Sequence, residues 1–237
     1  MHRIAIPQWI IDRVKQIRGS EHCFEAFDPA RTALLVVDMQ NAFMKPGVGH
    51  AVCEPAQEIV PNINRLARAV RAVGGTVVWI KALYRDETLK SWSVSYEMAG
   101  PKGTRRRVEA LTHGTEGYAL WPELEVLPQD LHVDKTRFSA FLQGSSNLEA
   151  VLRERGIDTV LVTGTVTNVC CESTARDAMM CNFRTIMVTD ANAAVTDEEH
   201  NAALTAFYFM FGDIMSTDML IDLLPRNALR MRSAAAE

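Results

Sequence analysis

Short apolar runs rich in valine, isoleucine and leucine alternate along this chain with longer stretches whose apolar residues recur at helical spacing. That alternation narrows the fold more than any other feature. Ala33 to Val37 are five consecutive apolar residues ending at Asp38, and an uninterrupted run of this kind reads as a strand buried on both faces. Over 58–73, Ile59, Ile63, Leu66, Ala67, Val70 and Val73 fall on one helical face. Gly74 and Gly75 then close the helix, and a second strand occupies 76–80. The pattern resumes with strands expected over 131–134, 159–163, 184–189 and 213–216. Helices are expected over 147–155, 169–181, 197–211 and 219–223. Strands alternating with helices imply an α/β fold with a parallel sheet covered on both faces.

Two regions break the alternation. Residues 1–31 contain a short helix with Ile10, Val14 and Ile17 on one side, suited to packing on the body or on a neighbouring subunit. Residues 84–118 hold Trp92, Tyr96 and the triplet Arg105, Arg106 and Arg107 among glycine, proline and serine. They read as an irregular lid or binding loop on the rim where open α/β sheets bind ligands. With no internal repeat, the chain divides into an extension (1–31), one domain (32–224) and a tail (225–237).

Composition excludes several classes. A chain of 237 residues with 48% hydrophobic residues can bury a core without disulfides or a structural metal. Its 25 Lys+Arg against 29 Asp+Glu leave a net charge of −4, which lacks the basic excess of a nucleic-acid binder. No apolar run approaches the ~20 residues of a membrane span, and Arg3, Asp12, Arg13, Lys15 and Arg18 interrupt the start as an export signal would not. Five cysteines without a CxxC pair fit a reducing compartment. The expectation is a cytoplasmic protein that binds neither nucleic acid nor membrane.

The turn from Gly164 to Cys171 carries the clearest chemistry. It joins a buried strand to a helix, so a cysteine there faces free backbone N–H groups and the positive end of the helix dipole, both of which favour thiolate. The same N–H groups suit an oxyanion. On helical spacing Cys171 shares a small apolar stripe with Ala175, Ala178 and Met179. Cys170 shares a more polar one with Ser173, Thr174 and Asp177. Cys170 is therefore the candidate nucleophile and Cys171 a core residue, while the bland reading places both in the core. Cys23, Cys53 and Cys181 have no such setting. A histidine partner is hard to find: His113 and His132 are the only candidates, and His132 sits inside a strand. Asp38 and Lys135, each at a strand end, can supply a proton acceptor and a positive neighbour, against the bland readings of a cap and a solvated lysine.

Three segments here resemble the signature motifs of the isochorismatase-like cysteine hydrolases: Asp38-Met-Gln-Asn-Ala-Phe43, Lys135-Thr-Arg-Phe-Ser-Ala-Phe141, and Gly164-Thr-Val-Thr-Asn-Val-Cys170 with its continuation to Ala178. Order, spacing and strand-end placement match over roughly 32–224. The resemblance implies a three-layer α/β/α sandwich and a catalytic triad of Asp38, Lys135 and Cys170. It also implies a cis peptide between Thr165 and Val166 and an oxyanion hole from the N–H groups of Val166 and Cys170. Cys170 argues against vinyl-ether cleavage. The stretch after the second strand lacks the Asp-x-His metal motif of nicotinamidases, so neither metal nor cofactor is expected. What the resemblance leaves is the metal-independent amidase and carbamoyl-hydrolase branch, acting on a small amide or ureido substrate, with local similarity to the ureidoacrylate type. The family also implies a homodimer or homotetramer.

Asn41, Tyr84, Trp92, Phe138 and Phe141 are the candidate substrate-binding residues, although aromatic side chains more often serve packing. Arg105 to Arg107 could attract a substrate carboxylate, but a charge run in a loop is usually solvated, and that reading is preferred. Two rivals stand against the hydrolase: a non-catalytic member of the fold, and a redox-active Cys170–Cys171 pair, disfavoured because adjacent cysteines bridge only through a strained ring.

Overall fold

In the computed structural model, which describes residues 1–234, the apolar runs become six parallel strands: β1 (Thr32–Val37), β2 (Thr76–Ala82), β3 (Leu131–Lys135), β4 (Thr159–Thr165), β5 (Arg184–Ala193) and β6 (Asp213–Met215). Their order is β3-β2-β1-β4-β5-β6. The chain starts in the middle, winds outward through β2 and β3, and crosses back to lay β4 on the free side of β1. The winding therefore reverses between β1 and β4, and the loops leaving those two strands part to open a crevice at their carboxyl ends.

Successive residues of β1 point to opposite faces, and all are buried. Ala33, Leu35 and Val37 join one core with Ile10 and Val14 of α1 (Gln8–Arg18), with α6 (Leu148–Glu154), α7 (Glu172–Met180) and α8 (Asp197–Met210). Leu34 and Val36 join the other core with Ile63, Leu66 and Val70 of α3 (Val60–Ala72) and Leu220 and Leu224 of α9 (Thr217–Ala234). This is the three-layer α/β/α sandwich. Residues 1–31 pack on the body: Arg18 donates to the carbonyls of Tyr208 (2.7 Å) and Gly212 (2.9 Å), and the Cys23 N–H donates to Asp213 (2.7 Å). Ile17, expected on the buried side of α1, is 65% exposed; it lies in the last turn, beyond the surface that covers Ile10 and Val14.

Two expectations need correction. Residues 84–118 are largely helical, with α4 (Asp86–Ser91) and α5 (Ser93–Ala110) after a short α2 (Asn41–Met44) earlier in the chain. The Gly100-Pro101 step that reads as loop is a single left-handed residue (φ 66°) interrupting α5. Tyr96 before it and Ala110 after it both bury in a small cluster with Phe43, Ala82 and Tyr84. Likewise 225–234 is no tail: α9 continues through Pro225 to Ala234. Leu224 is buried just before the proline, and Asn227 beyond it donates to the Glu25 carbonyl (2.8 Å).

Candidate active site

Asp38 follows β1 directly and adopts a left-handed backbone (φ 53°), a conformation that costs a non-glycine residue about 1–3 kcal/mol and clusters at functional sites. Its N–H donates to Ile80 (2.9 Å), which holds it to β2. Lys135 ends β3, two strands away. Between them lies Ala82, the register partner of Lys135, whose small side chain leaves room on the cavity floor. The Lys135 ammonium reaches Asp38 Oδ2 at 2.7 Å, with both side chains 1% exposed, and donates to the Arg137 carbonyl at 3.1 Å. Burial alone would discharge this lysine, but the Asp38 carboxylate outweighs it and holds the ammonium charged above its ordinary range. Beyond that ammonium, neither Asp38 oxygen has a hydrogen-bond partner among the described residues. Its lone pairs are available to a proton.

The third group arrives from β4. Gly164 (φ 115°) lies opposite Val37 in the ladder, where a Cβ would stand 2.1 Å from the Val37 carbonyl oxygen. Only glycine lets β4 pass this close to the start of the Asp38 turn. The Thr165–Val166 peptide is cis, and Thr167–Cys171 form a π-helical turn leading into α7. The Thr167 hydroxyl meets His200 Nδ1 at 2.8 Å, and His200 Nε2 lies 3.0 Å from the Thr189 carbonyl. A carbonyl only accepts, so Nε2 carries the hydrogen and Nδ1 accepts from the threonine. Burial and the stacked His2 push His200 down to about 4, which keeps this tautomer neutral. Nothing in the spacing of the sequence reveals this brace.

Cys170 borders the cavity, whereas Cys171 is fully buried in the core with its sulfur toward the Thr163 carbonyl. The expected lowering of the Cys170 pKa is not found. Burial pushes the thiol above its ordinary range and Asp38 adds to this, with the Lys135 ammonium pulling only partly the other way. Enclosure by the surrounding walls outweighs the pull of that ammonium. The resting arrangement is a thiol beside a carboxylate and an ammonium.

These groups line a cavity of about 240 Å³ with Thr165, Val166, Val169, Phe43, Tyr84, Phe138, His50 and Arg107. Neither the Val166 nor the Cys170 N–H donates to a backbone carbonyl outside its own element among the described residues. Of the candidate substrate-binding residues, Tyr84 and Phe138 reach the cavity and three do not. Trp92 stands behind the wall, stacked on Tyr84 (6.4 Å) and edge-on to Phe138 (4.8 Å). Phe141 packs on Phe183 in the core. Asn41 opens α2 and turns its amide to the Glu116 carbonyl. His50 carries no signal in the sequence, and Phe43 is marked there only as the end of the first motif. Arg107 departs from the preferred reading of a solvated triplet: Arg105 and Arg106 are exposed, but Arg107 is half-buried. Among the described residues no cluster of three or more His, Cys, Asp or Glu side chains is arranged to hold a metal ion.

Known proteins share this fold and much of this sequence. Residues 32–219 match the Isochorismatase domain. The ureidoacrylate amidohydrolase RutB of Methylobacterium radiotolerans is 36% identical, the match covering 79% of this chain and 77% of that one. A cysteine hydrolase from Pseudomonas syringae pv. phaseolicola superposes with a TM-score of 0.74 at 30% identity, covering 85% of this chain and 96% of the other. N-carbamoylsarcosine amidase from Thermoplasma acidophilum gives a TM-score of 0.62 at 27% identity, covering 79% and 96%. The matched region runs from β1 through β6 and takes in every turn that carries Asp38, Lys135 and Cys170; this chain belongs to the isochorismatase family of hydrolases.

Proposed function

We propose that the protein is a metal-independent cysteine hydrolase that cleaves a C–N bond of a small amide or ureido compound. The observation that carries this reading is the meeting of three side chains from three different strand ends in one cavity, with the Lys135 ammonium 2.7 Å from Asp38 and Cys170 on the same wall. The cavity, at about 240 Å³, is smaller than the ~300–1,000 Å³ of typical ligand pockets, which suits a small substrate. RutB and N-carbamoylsarcosine amidase, by their names, act on ureido and carbamoyl compounds, and this supports the same substrate class here.

The geometry supports the following sequence of steps. Asp38 accepts the Cys170 proton as the sulfur bonds to the carbonyl carbon; because the resting group is a thiol, proton transfer accompanies attack. Lys135 stays charged, orients the carboxylate and stabilises negative charge on sulfur. The oxyanion develops against the N–H groups of Val166 and Cys170. As the tetrahedral species collapses, the C–N bond breaks and Asp38 returns its proton to the leaving nitrogen, releasing ammonia or an amine. Water then attacks the thioester or thiocarbamate carbon, giving a proton to Asp38, and the sulfur leaves and is reprotonated.

The test is ammonia release from a panel of ureido acids, biuret-like compounds and primary amides. The native chain is expected to turn over at least one of them, and Cys170→Ala to lose turnover while keeping its melting temperature. Turnover surviving in that variant contradicts the assignment.

A further inference from the structure

Besides the Asp38 oxygens, two buried polar atoms on the cavity wall have no hydrogen-bond partner, Nε of Arg107 and Nδ1 of His50. The Arg107 guanidinium is anchored on one side only: Nη1 donates to Ser95, at 3.0 Å to its hydroxyl and 3.5 Å to its carbonyl, and these are its hydrogen bonds among the described residues. Arg137 nearby differs, since both its terminal nitrogens are engaged by Thr136 and Ser91. A charged donor shielded from water and unbonded is costly, so one kept in a native structure calls for a partner.

The charge balance of the cavity says what that ligand is. Asp38 and Lys135 compensate each other. Burial, together with the charges of Arg107 and Arg106, pushes His50 down to about 4, so its ring is neutral near neutral pH. Arg107 is then the one uncompensated charge among the described lining residues, and a neutral ring can present Nδ1–H beside it. A carboxylate has the lone pairs to accept from both and the charge to balance the guanidinium.

We propose that Arg107 and His50 hold a carboxylate of the substrate, so that the site selects small ureido or amide acids over their uncharged analogues. This rests on the hydrolase reading for the identity of the reacting group, while the anion site itself rests on the two unpartnered atoms.

Binding to the Cys170→Ser chain tests it without turnover. 3-Ureidopropionate and its neutral amide, 3-ureidopropionamide, are titrated by calorimetry. The acid is expected to bind roughly tenfold or more tightly than the amide, the scale of one hydrogen bond to a charged group. Arg107→Gln on that background weakens the acid and removes the preference; Arg107→Lys restores part of it. His50→Phe, which keeps a ring without the N–H, narrows the preference for the acid. Equal affinities in the parent, undetectable binding of the acid, or a preference that survives Arg107→Gln overturns the proposal. The parent comparison decides even if a variant fails to fold. A chain that prefers the acid but releases no ammonia from any ureido compound or amide keeps the anion site and loses the hydrolase reading; one that hydrolyses acid and amide alike loses only the anion site.

Discussion

Cys170 and Cys171 are neighbours in sequence with different fates. One borders the cavity, 8% exposed, and the other is sealed in the core. Helical spacing alone separates them, because the stripe that carries Cys171 also carries Ala175 and Ala178, which pack on the sheet. Cys171→Ala is therefore expected to retain turnover, measured by ammonia release, where Cys170→Ala does not. The protonation of Cys170 was not legible, because desolvation depends on how many walls close around the sulfur and those walls come from distant segments. The same holds for Arg107: sequence shows three adjacent arginines, and only the path of α5 turns the last one inward. Lys135 gives the sharpest stability prediction at this scale. Lys135→Met leaves the Asp38 carboxylate buried without its counter-charge, a loss of about 3–5 kcal/mol, to be read from denaturant midpoints together with loss of turnover.

At the scale of elements, the strands were legible because β1 runs unbroken and apolar from Ala33 to Val37 and β4 centres on Val160, Leu161 and Val162, and most helices because their apolar residues recur at the helical period. The helices of 84–118 were not. Their composition is polar and broken by Gly100-Pro101, and their helical form depends on burying Tyr96 and Ala110 against Phe43 and Tyr84. The sequence marks the junction of β4 with β1 only as a strand end, yet Gly164 determines how close the two strands come. Gly164→Ala places a methyl group 2.1 Å from the Val37 carbonyl oxygen, forcing the strands apart beside Asp38. The expected outcome is a loss of about 1–3 kcal/mol and a fall in kcat, measured by thermal melts and steady-state rates. A variant with native kcat would show that the close approach is not needed.

For the whole molecule, the order of motifs along the chain was legible but the order of strands across the sheet was not, because the crossover that returns the chain to the free side of β1 leaves no local signal. That crossover makes the crevice, and it buries titratable groups whose shifts set the pH range of stability. Burial raises Cys170 and Cys171 above the ordinary thiol value of 9.0, and Lys135, despite its burial, is held above 10.5 by Asp38. A raised pKa gives stability that is complete below the unfolded value and lost as pH climbs toward the folded one. Stability should thus decline above about pH 9, and replacing both cysteines, as Cys170→Ser with Cys171→Ala, should flatten the first part of that decline. His50 and His200 are pushed down from 6.5 to about 4 by burial, so their contribution is complete above 6.5 and fades toward 4. Melting temperatures across this range check both limbs.

In the proposed mechanism Cys170 forms the bond to substrate, with Asp38 and Lys135 at its side. Acid-quenching the native chain during turnover of a ureido compound, followed by digestion and mass analysis, locates any covalent intermediate. An acyl or carbamoyl group is expected on the peptide carrying Cys170, absent from the Cys170→Ala chain. Turnover that persists in Cys170→Ala, or an adduct found on another residue, would contradict that mechanism.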